Sequence, residues 1–268
     1  MTSKQKMYIF KPHNLSLIVL SSKNYEYLWN NFSKMWNANC SNLKIKKFFF
    51  TTNKNKKYKN FQVLSGSCGT EDPWGKRILQ SLKKVKTRNV LLIMDDYFVT
   101  KKLNIKEFKK CYDFFLKNKI SYLRIFPSPN ENFFDKRNIY FVPYHSFHRI
   151  SLQASLWKKA YLANFLKVSK TPHQFEEIGS LRTKKNDLIY STNHKVINYI
   201  EFVRSGKITP EAMRYIKKNK LKINKNYHYM NLKKIILHYL GSLKFFFFYL
   251  LSKKIRKFYI KMRHKKYC

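Results

Sequence analysis

Val90 to Asp96 reads VLLIMDD, five apolar residues running straight into two aspartates. An unbroken apolar run of this length suits a strand buried on both faces, as in a parallel sheet covered by helices. The flanking text fits that frame. Upstream, Trp74 to Val85 places apolar residues at 78, 79, 82 and 85, one face of a helix. Downstream, Ile105 to Asn118 is an amphipathic helix and Tyr122 to Phe126 a further strand. Nearer the amino terminus, Leu15 to Leu20 (LSLIVL) is a second buried-strand run, ending in Ser21-Ser22. Tyr25 to Trp36 repeats Tyr25, Leu28, Trp29, Phe32 and Trp36 at helical spacing, and Lys46 to Thr52 and Phe61 to Ser65 are strand candidates. Strands alternating with helices predict an α/β domain with a mostly parallel sheet flanked by helices.

After Pro143 the text changes. Ser151 to Trp157 (SLQASLW) leads into a helix through about Leu166, and Thr171 to Ser180 reads as a loop or helix start. Past Lys217 the chain is rich in Lys and Asn until Leu232. The expected organisation is a catalytic-size domain over 1–217, a linker over 218–231 and a basic, apolar tail over 232–268. Within the tail, Ile235 to Leu251 is strongly apolar but interrupted by His238 and Lys244. A spanning helix needs about 20 apolar residues, and Lys at mid-membrane is costly. Lys233 and Lys234 precede the segment, and Lys253, Lys254, Arg256 and Lys257 follow it. That pattern favours a helix lying on an anionic membrane surface. A buried core helix and a single span are the alternatives.

The formal net charge is +42, from 56 Lys plus Arg against 14 Asp plus Glu. Part of the excess follows from heavy use of Lys, Asn, Ile, Phe and Tyr, the usage of an AT-rich coding sequence. The remainder implies a polyanionic partner: nucleic acid, anionic lipid or a phosphorylated substrate. With 44% hydrophobic and 17% aromatic residues the chain is no disordered polycation. Cys40, Cys68, Cys111 and Cys268 form no C-x-x-C pair, so free thiols in a reducing compartment are expected. The opening residues, broken by Lys11 and Pro12, do not make a signal peptide. A cytoplasmic body is expected from these two features.

Acidic residues are scarce, so clusters of them stand out. Asp95 and Asp96 end the most apolar strand, and ligands of open parallel sheets bind beyond the carboxyl ends of strands. Two carboxylates there suit Mg²⁺ or Mn²⁺ shared with substrate phosphates. The alternative is a solvated turn or a helix N-cap. Glu176 and Glu177 form a second pair, fit for general-base work or simply two surface glutamates. Ser65 to Gly75 (SGSCGTEDPWG), with Glu71 and Asp72, is a loop feeding the helix that starts at Trp74; it is neither a Walker A loop nor a dinucleotide fingerprint, and Gly66 and Gly69 read as a structural turn.

Five segments in order resemble a bacterial glycosyltransferase family from surface-polysaccharide and lipopolysaccharide loci, with a GT-A-like, Rossmann-like fold. They are Leu17 to Trp29 (LIVLSSKNYEYLW), Asp72 to Leu82 (DPWGKRILQSL), Leu91 to Val99 (LLIMDDYFV), Ser151 to Trp157 (SLQASLW) and Thr171 to Ser180 (TPHQFEEIGS). His173 stands where the family usually has Trp. The resemblance implies sugar transfer from a nucleotide-sugar donor to a glycan or lipid-linked acceptor. It implies a DxD-type metal site at Asp95 and Asp96 and a general base at Glu176, with Glu177 beside it. It further implies nucleotide contacts at Ser21 and Ser22, and an acceptor side formed by Gln153, Trp157 and His173. Lys76 and Arg77 are candidates for added charge near the phosphates. The implied location is peripheral, at the cytoplasmic side of the inner membrane, with no specific nucleic acid. A basic nucleic-acid-binding protein and a catalytically inactive scaffold of a glycan assembly complex are the rival readings.

Overall fold

The computed structural model describes residues 9–51, 56–66, 72–128, 137–144, 146, 148–221 and 228–252, with short pieces up to 262. The chain opens with β1 (Leu15–Leu20), a 3-10 turn (Lys23–Leu28) and α1 (Trp29–Asn39), then β2 (Lys46–Thr51), β3 (Lys56–Tyr58) and β4 (Phe61–Ser65). Next come α2 (Trp74–Lys83), β5 (Asn89–Met94), β6 (Tyr97–Val99), α3 (Ile105–Lys117), β7 (Tyr122–Arg124) and β8 (Ile139–Phe141). They are followed by β9 (Ser155–Lys158), α4 (Lys159–Leu166), α5 (Pro172–Arg182), β10 (Ile189–Thr192) and β11 (Tyr199–Glu201). The chain continues through β12 (Val203–Arg204), β13 (Lys207–Ile208), α6 (Pro210–Asn219), β14 (His228–Tyr229) and α7 (Leu232–Leu250).

The main sheet has nine strands in the order β3-β4-β2-β1-β5-β9-β7-β10-β8. The run β4-β2-β1-β5 is parallel throughout, and so is β7 with β10. Strands β3, β9 and β8 run against their neighbours. The fold is therefore mixed α/β around a large, mostly parallel sheet, as the sequence predicts. Side chains alternate between two cores, as a two-residue strand period requires. Leu17, Val19, Phe49, Leu91 and Ile93 face α1 and α3, while Ile18, Leu20, Phe48, Phe50, Val90 and Leu92 face α2, α4 and α5. Trp29 of α1 stacks on Phe49 with ring centroids 4.5 Å apart.

Several elements differ from the expectation. Tyr25 to Trp36 is not one helix: the 3-10 turn carries Tyr25 and Leu28, and α1 begins at Trp29. Ser155–Lys158 is a strand, inserted antiparallel between β5 and β7. Being buried on both faces it lacks alternation, so its pattern merges with the helix that follows. The Thr171 to Ser180 segment opens a full helix, Pro172–Arg182, capped by the Thr171 hydroxyl accepting from Gln174 N. Within the stretch expected as a linker, 218–231, α6 reaches Asn219 and β14 pairs with β13. Cys40 and Cys111 are buried free thiols, whereas Cys68 and Cys268 lie outside the described residues.

Candidate active site

The carboxyl ends of β1 and β5 lie side by side because the two strands pair from Leu15↔Asn89 to Leu20↔Met94. That register sets Ser21 beside Asp95. Asp95 N donates to Leu20 O at 3.0 Å, and the Ser21 hydroxyl donates to Asp95 Oδ2. Trp29 Nε1 donates in turn to Ser21 Oγ at 2.8 Å, so the core indole fixes the serine that fixes the aspartate. Ser22 caps the 3-10 turn with its carbonyl, which accepts from Tyr25 N at 3.0 Å. Asp95 is buried, and desolvation pushes its carboxyl up, against the hydrogen bond from Ser21. Asp96 is pushed up by desolvation, then by the charges of Asp95 and Glu201. Its Oδ1 is a buried oxygen without a hydrogen-bond partner among the described residues.

Beyond the pair, β6 and β11 form a two-stranded ribbon in which Tyr97 stands opposite Glu201. Phe202 N donates to Asp96 O at 2.6 Å, and Phe202 stacks on Phe98 at 4.1 Å, closing the ribbon onto the acidic turn. Tyr97 and Tyr199 stack at 4.6 Å. Both hydroxyls meet Gln153: its Nε2 donates to Tyr97 OH at 3.2 Å, and Tyr199 OH donates to its Oε1.

Gln153 belongs to an irregular strip, 148–154, pinned along its length. Arg124 Nη2 donates to His148 O at 2.6 Å, and Ser180 Oγ accepts from Ile150 N at 3.2 Å. Ser151 N donates to Tyr122 OH at 3.2 Å, and Ala154 N to Tyr199 OH at 3.3 Å. Glu176, on α5, adds a further contact: Leu152 N donates to its Oε1 at 2.8 Å. Its Oε2 faces His148 Nδ1 at 3.7 Å. Desolvation pushes the Glu176 carboxyl up to about 7, opposed by the Leu152 N–H and the Arg124 charge. His148 sits at φ 49°, a left-handed backbone that a non-glycine residue adopts at a cost.

The residues singled out from sequence divide accordingly. Ser21, Asp95, Asp96, Gln153 and Glu176 lie along one chain of contacts: Ser21 holds Asp95, Tyr97 follows Asp96 and accepts from Gln153, and Glu176 accepts from the neighbouring Leu152 N. Trp157 is not part of that chain. It is fully buried among Tyr122, Tyr161, Phe165 and Phe175, so the expectation that it faces an acceptor is corrected to a core role. Glu177 is buried on α5, and His173 is exposed on its first turn. Lys76 is paired with Asp72 at 2.6 Å across one helical turn. Glu71 lies outside the described residues.

Sequence reasoning missed His148, Tyr97, Tyr199 and Glu201. For Glu201 a signal existed, since it is one of only 14 acidic residues. Its partner across the ribbon is Tyr97, more than a hundred residues earlier, and no local pattern announces such a pairing.

Two carboxylates with a partnerless buried oxygen are hard donors of the kind Mg²⁺ or Mn²⁺ takes. Among the described residues no third His, Cys, Asp or Glu joins them in a metal-holding group. The donor set fits an ion held by one or two carboxylates and completed by ligand oxygens. A cavity of about 630 Å³ lies at the other end of β5, lined by His13, Arg88, Asn89, Tyr112, Lys158 and Lys159. It contains none of these site residues. Lys159 Nζ is already engaged by Val85 O at 2.6 Å, and Lys158 Nζ by Lys119 O.

No family model matches the chain, and no curated protein does. Solved structures do. Residues 1–349 of TarS from S. aureus align at TM-score 0.41 and 13% identity, covering 67% of this chain and 60% of that one. The bifunctional IspDF from Campylobacter jejuni aligns at 0.41 and 14%, covering 70% and 52%. CMP:2-keto-3-deoxy-manno-octonic acid synthetase, complexed with CTP, aligns at 0.42 and 9%, covering 78% and 100%. This chain thus spans 60% of the TarS fragment's length.

Proposed function

We propose that this protein is a GT-A-like glycosyltransferase. It would move a sugar from a nucleotide-sugar donor to a hydroxyl of a glycan or lipid-linked acceptor, in the synthesis of a bacterial surface polysaccharide. The observation that carries the reading is that two unlike carboxylate sites are linked through Tyr97 and the strip of Leu152 and Gln153. One is the Asp95/Asp96 turn, locked to Ser21 at the strand ends. The other is Glu176, whose raised carboxyl suits a base working near neutrality.

In this reading Asp95 and Asp96 hold a divalent ion, Mg²⁺ or Mn²⁺. Such an ion, when bound, neutralises charge on a departing diphosphate. Ser21 and Ser22 bound the donor side at the end of β1. Glu176 takes the acceptor hydroxyl's proton on Oε2, the oxygen that faces His148 Nδ1, while Oε1 accepts from Leu152 N. The Leu152 N–H and Arg124 keep part of the anion's stability despite burial, and so hold the carboxyl near neutrality instead of far above it. Gln153, held by two tyrosine hydroxyls, is a fixed amide on the acceptor side. A single base facing a leaving group across the site favours inversion at the anomeric carbon.

The test is a sugar-nucleotide transfer and hydrolysis screen with Mn²⁺, run beside Glu176→Gln. The variant is expected to lose about 10²–10⁴-fold in rate, the usual cost of a positioned base, with donor affinity kept. Turnover unaffected by Glu176→Gln, or by EDTA, would sink the corresponding role. A protein that binds no sugar nucleotide at all is better read as a scaffold.

A further inference from the structure

Helix α7 presents two faces. The first docks on the body of the protein. Arg204 Nη1 lies 3.0 Å from His238 Nδ1, and His238 Nε2 lies 3.4 Å from Glu211 Oε2. Arg204 has no acceptor atom, so it donates to Nδ1 and leaves the ring proton on Nε2, toward the carboxylate. Tyr239 OH donates to the same glutamate, to Oε1, at 3.4 Å. The His238 side chain keeps only 9% of its surface, on a helix whose Leu232, Ile236 and Leu240 are each more than half exposed.

The second face is apolar and open. Leu232, Ile236, Leu240, Phe247 and Leu250 are all exposed. Their steps of four, four, seven and three residues place them on one stripe of a 3.6-residue helix. Lys233 and Lys234 are both exposed: Lys233 borders that stripe, and Lys234 lies farther round, toward His238. No Asp or Glu follows Glu211 anywhere in the chain. An apolar stripe accompanied by cations, with no acid near it in sequence, complements an anionic lipid surface. A nucleic acid would use the cations and leave the stripe in water. Among the described residues no helix is long and apolar enough to cross a membrane.

The docked face leads to the candidate site. Arg204 Nε donates to Glu201 Oε1 at 2.8 Å, Glu201 stands opposite Tyr97, and Phe202 N holds Asp96 O. We propose that α7 is a rigid mount: it seats on an anionic bilayer and, through His238, Arg204 and Glu201, holds the Asp95/Asp96 turn at a fixed setting against that surface. The acceptor then belongs to the class that a membrane presents, a lipid-linked glycan. This last clause rests on the transferase reading, whereas the mount does not.

The experiment uses the full chain and needs no turnover. Flotation is compared between phosphatidylcholine vesicles with and without phosphatidylglycerol, and amide exchange is followed on the bound protein. Capture is expected to be at least about tenfold greater with the anionic lipid. Exchange is expected to slow in both 232–251 and 199–204. His238→Ala should bind vesicles within about twofold of the parent, because the stripe and cations are untouched. It should lose the slowing at 199–204. Folding is read in the same data from β1 and β5. If His238→Ala unfolds, Glu211→Gln, whose carboxylate is partly exposed, tests the same link. Equal capture by neutral vesicles, no capture, or a preference for RNA over vesicles overturns the bilayer as partner. Slowing at 199–204 that survives in a folded variant overturns the mount and leaves a simple tether. Failure of the transferase reading would show instead as absent sugar-nucleotide binding with all of these outcomes intact.

Discussion

Glu176 carries opposite demands for stability and for proton transfer. Its carboxyl titrates at about 7 in the folded protein against an ordinary value of 4.5. Between those values the folded state holds a proton that the unfolded chain has released. The group's contribution is therefore complete below about pH 4.5 and is lost as pH rises to about 7. The urea midpoint of the parent should fall across that window more steeply than that of Glu176→Gln. Parallel curves would mean that Glu176 is not desolvated in solution. Asp96 follows the same logic with a stronger cause, since burial and the neighbouring Asp95 both oppose its charge. Asp96→Asn should raise the melting temperature in mild alkali, by roughly 2–4 °C if the relief is about 1 kcal/mol, and have little effect in acid. The same variant should abolish transfer and any Mn²⁺ affinity measured by calorimetry. A lower melting temperature would show that the carboxylate has a stabilising partner after all.

At the scale of elements, the start of α2 lies close against the end of α4 and the segment leading into α5, where Trp74 N and Gly75 N donate to Lys170 O and Ser169 O. A β-carbon on Gly75 would lie 2.2 Å from Leu166 O and 2.5 Å from Ser169 O, both main-chain atoms that cannot swing away. Gly75→Ala should cost about 1–3 kcal/mol, as overpacking does, read as a lowered denaturation midpoint. An unchanged midpoint would mean that the two helices separate easily. Gly75 was legible in the sequence only as part of the Trp74 to Val85 helix, because its need comes from a neighbour some ninety positions away. The same limit explains what else was and was not readable. β1, β2, β4 and β5, with α2 and α3, follow from local apolar patterns. β9 does not, since a short strand buried on both faces has no period of its own. Of the site, Asp95, Asp96 and Glu176 stood out by residue type and position. His148, Tyr97 and Glu201 enter it only through the β6–β11 ribbon and the pinned strip before β9.

For the molecule as a whole, the tail is expected to be separable from the body that holds the two cores. Leu232, Ile236, Leu237 and Leu240 are exposed, and Arg204, Glu211, His238 and Tyr239 tie α7 to the body through polar contacts. A chain stopped after Asn231 should stay folded, melt within a few degrees of the parent, and lose capture by anionic vesicles. Aggregation or unfolding of that truncation would assign α7 to the core. The +42 charge bears on this measurement, because exposed cations bind any polyanion at low salt. Vesicle capture that persists at high ionic strength reports the apolar stripe and separates it from simple charge attraction.

The antiparallel insertion of β9 has a consequence for how the chain is made. β4, β2, β1 and β5 can pair as soon as residue 94 has been synthesised, but the far edge of β5 is closed only by residues 155–158. In the interval the nascent protein displays Val90, Leu91 and Leu92 along a row of unpaired main-chain donors and acceptors, the arrangement that invites pairing with another chain. Some sixty residues of translation, several seconds at ribosomal rates of about 5–20 residues per second, separate the opening of that edge from its closure. For this protein the hazard of misassembly is therefore greatest on the ribosome, before the acidic turn has acquired the strip that completes its surroundings.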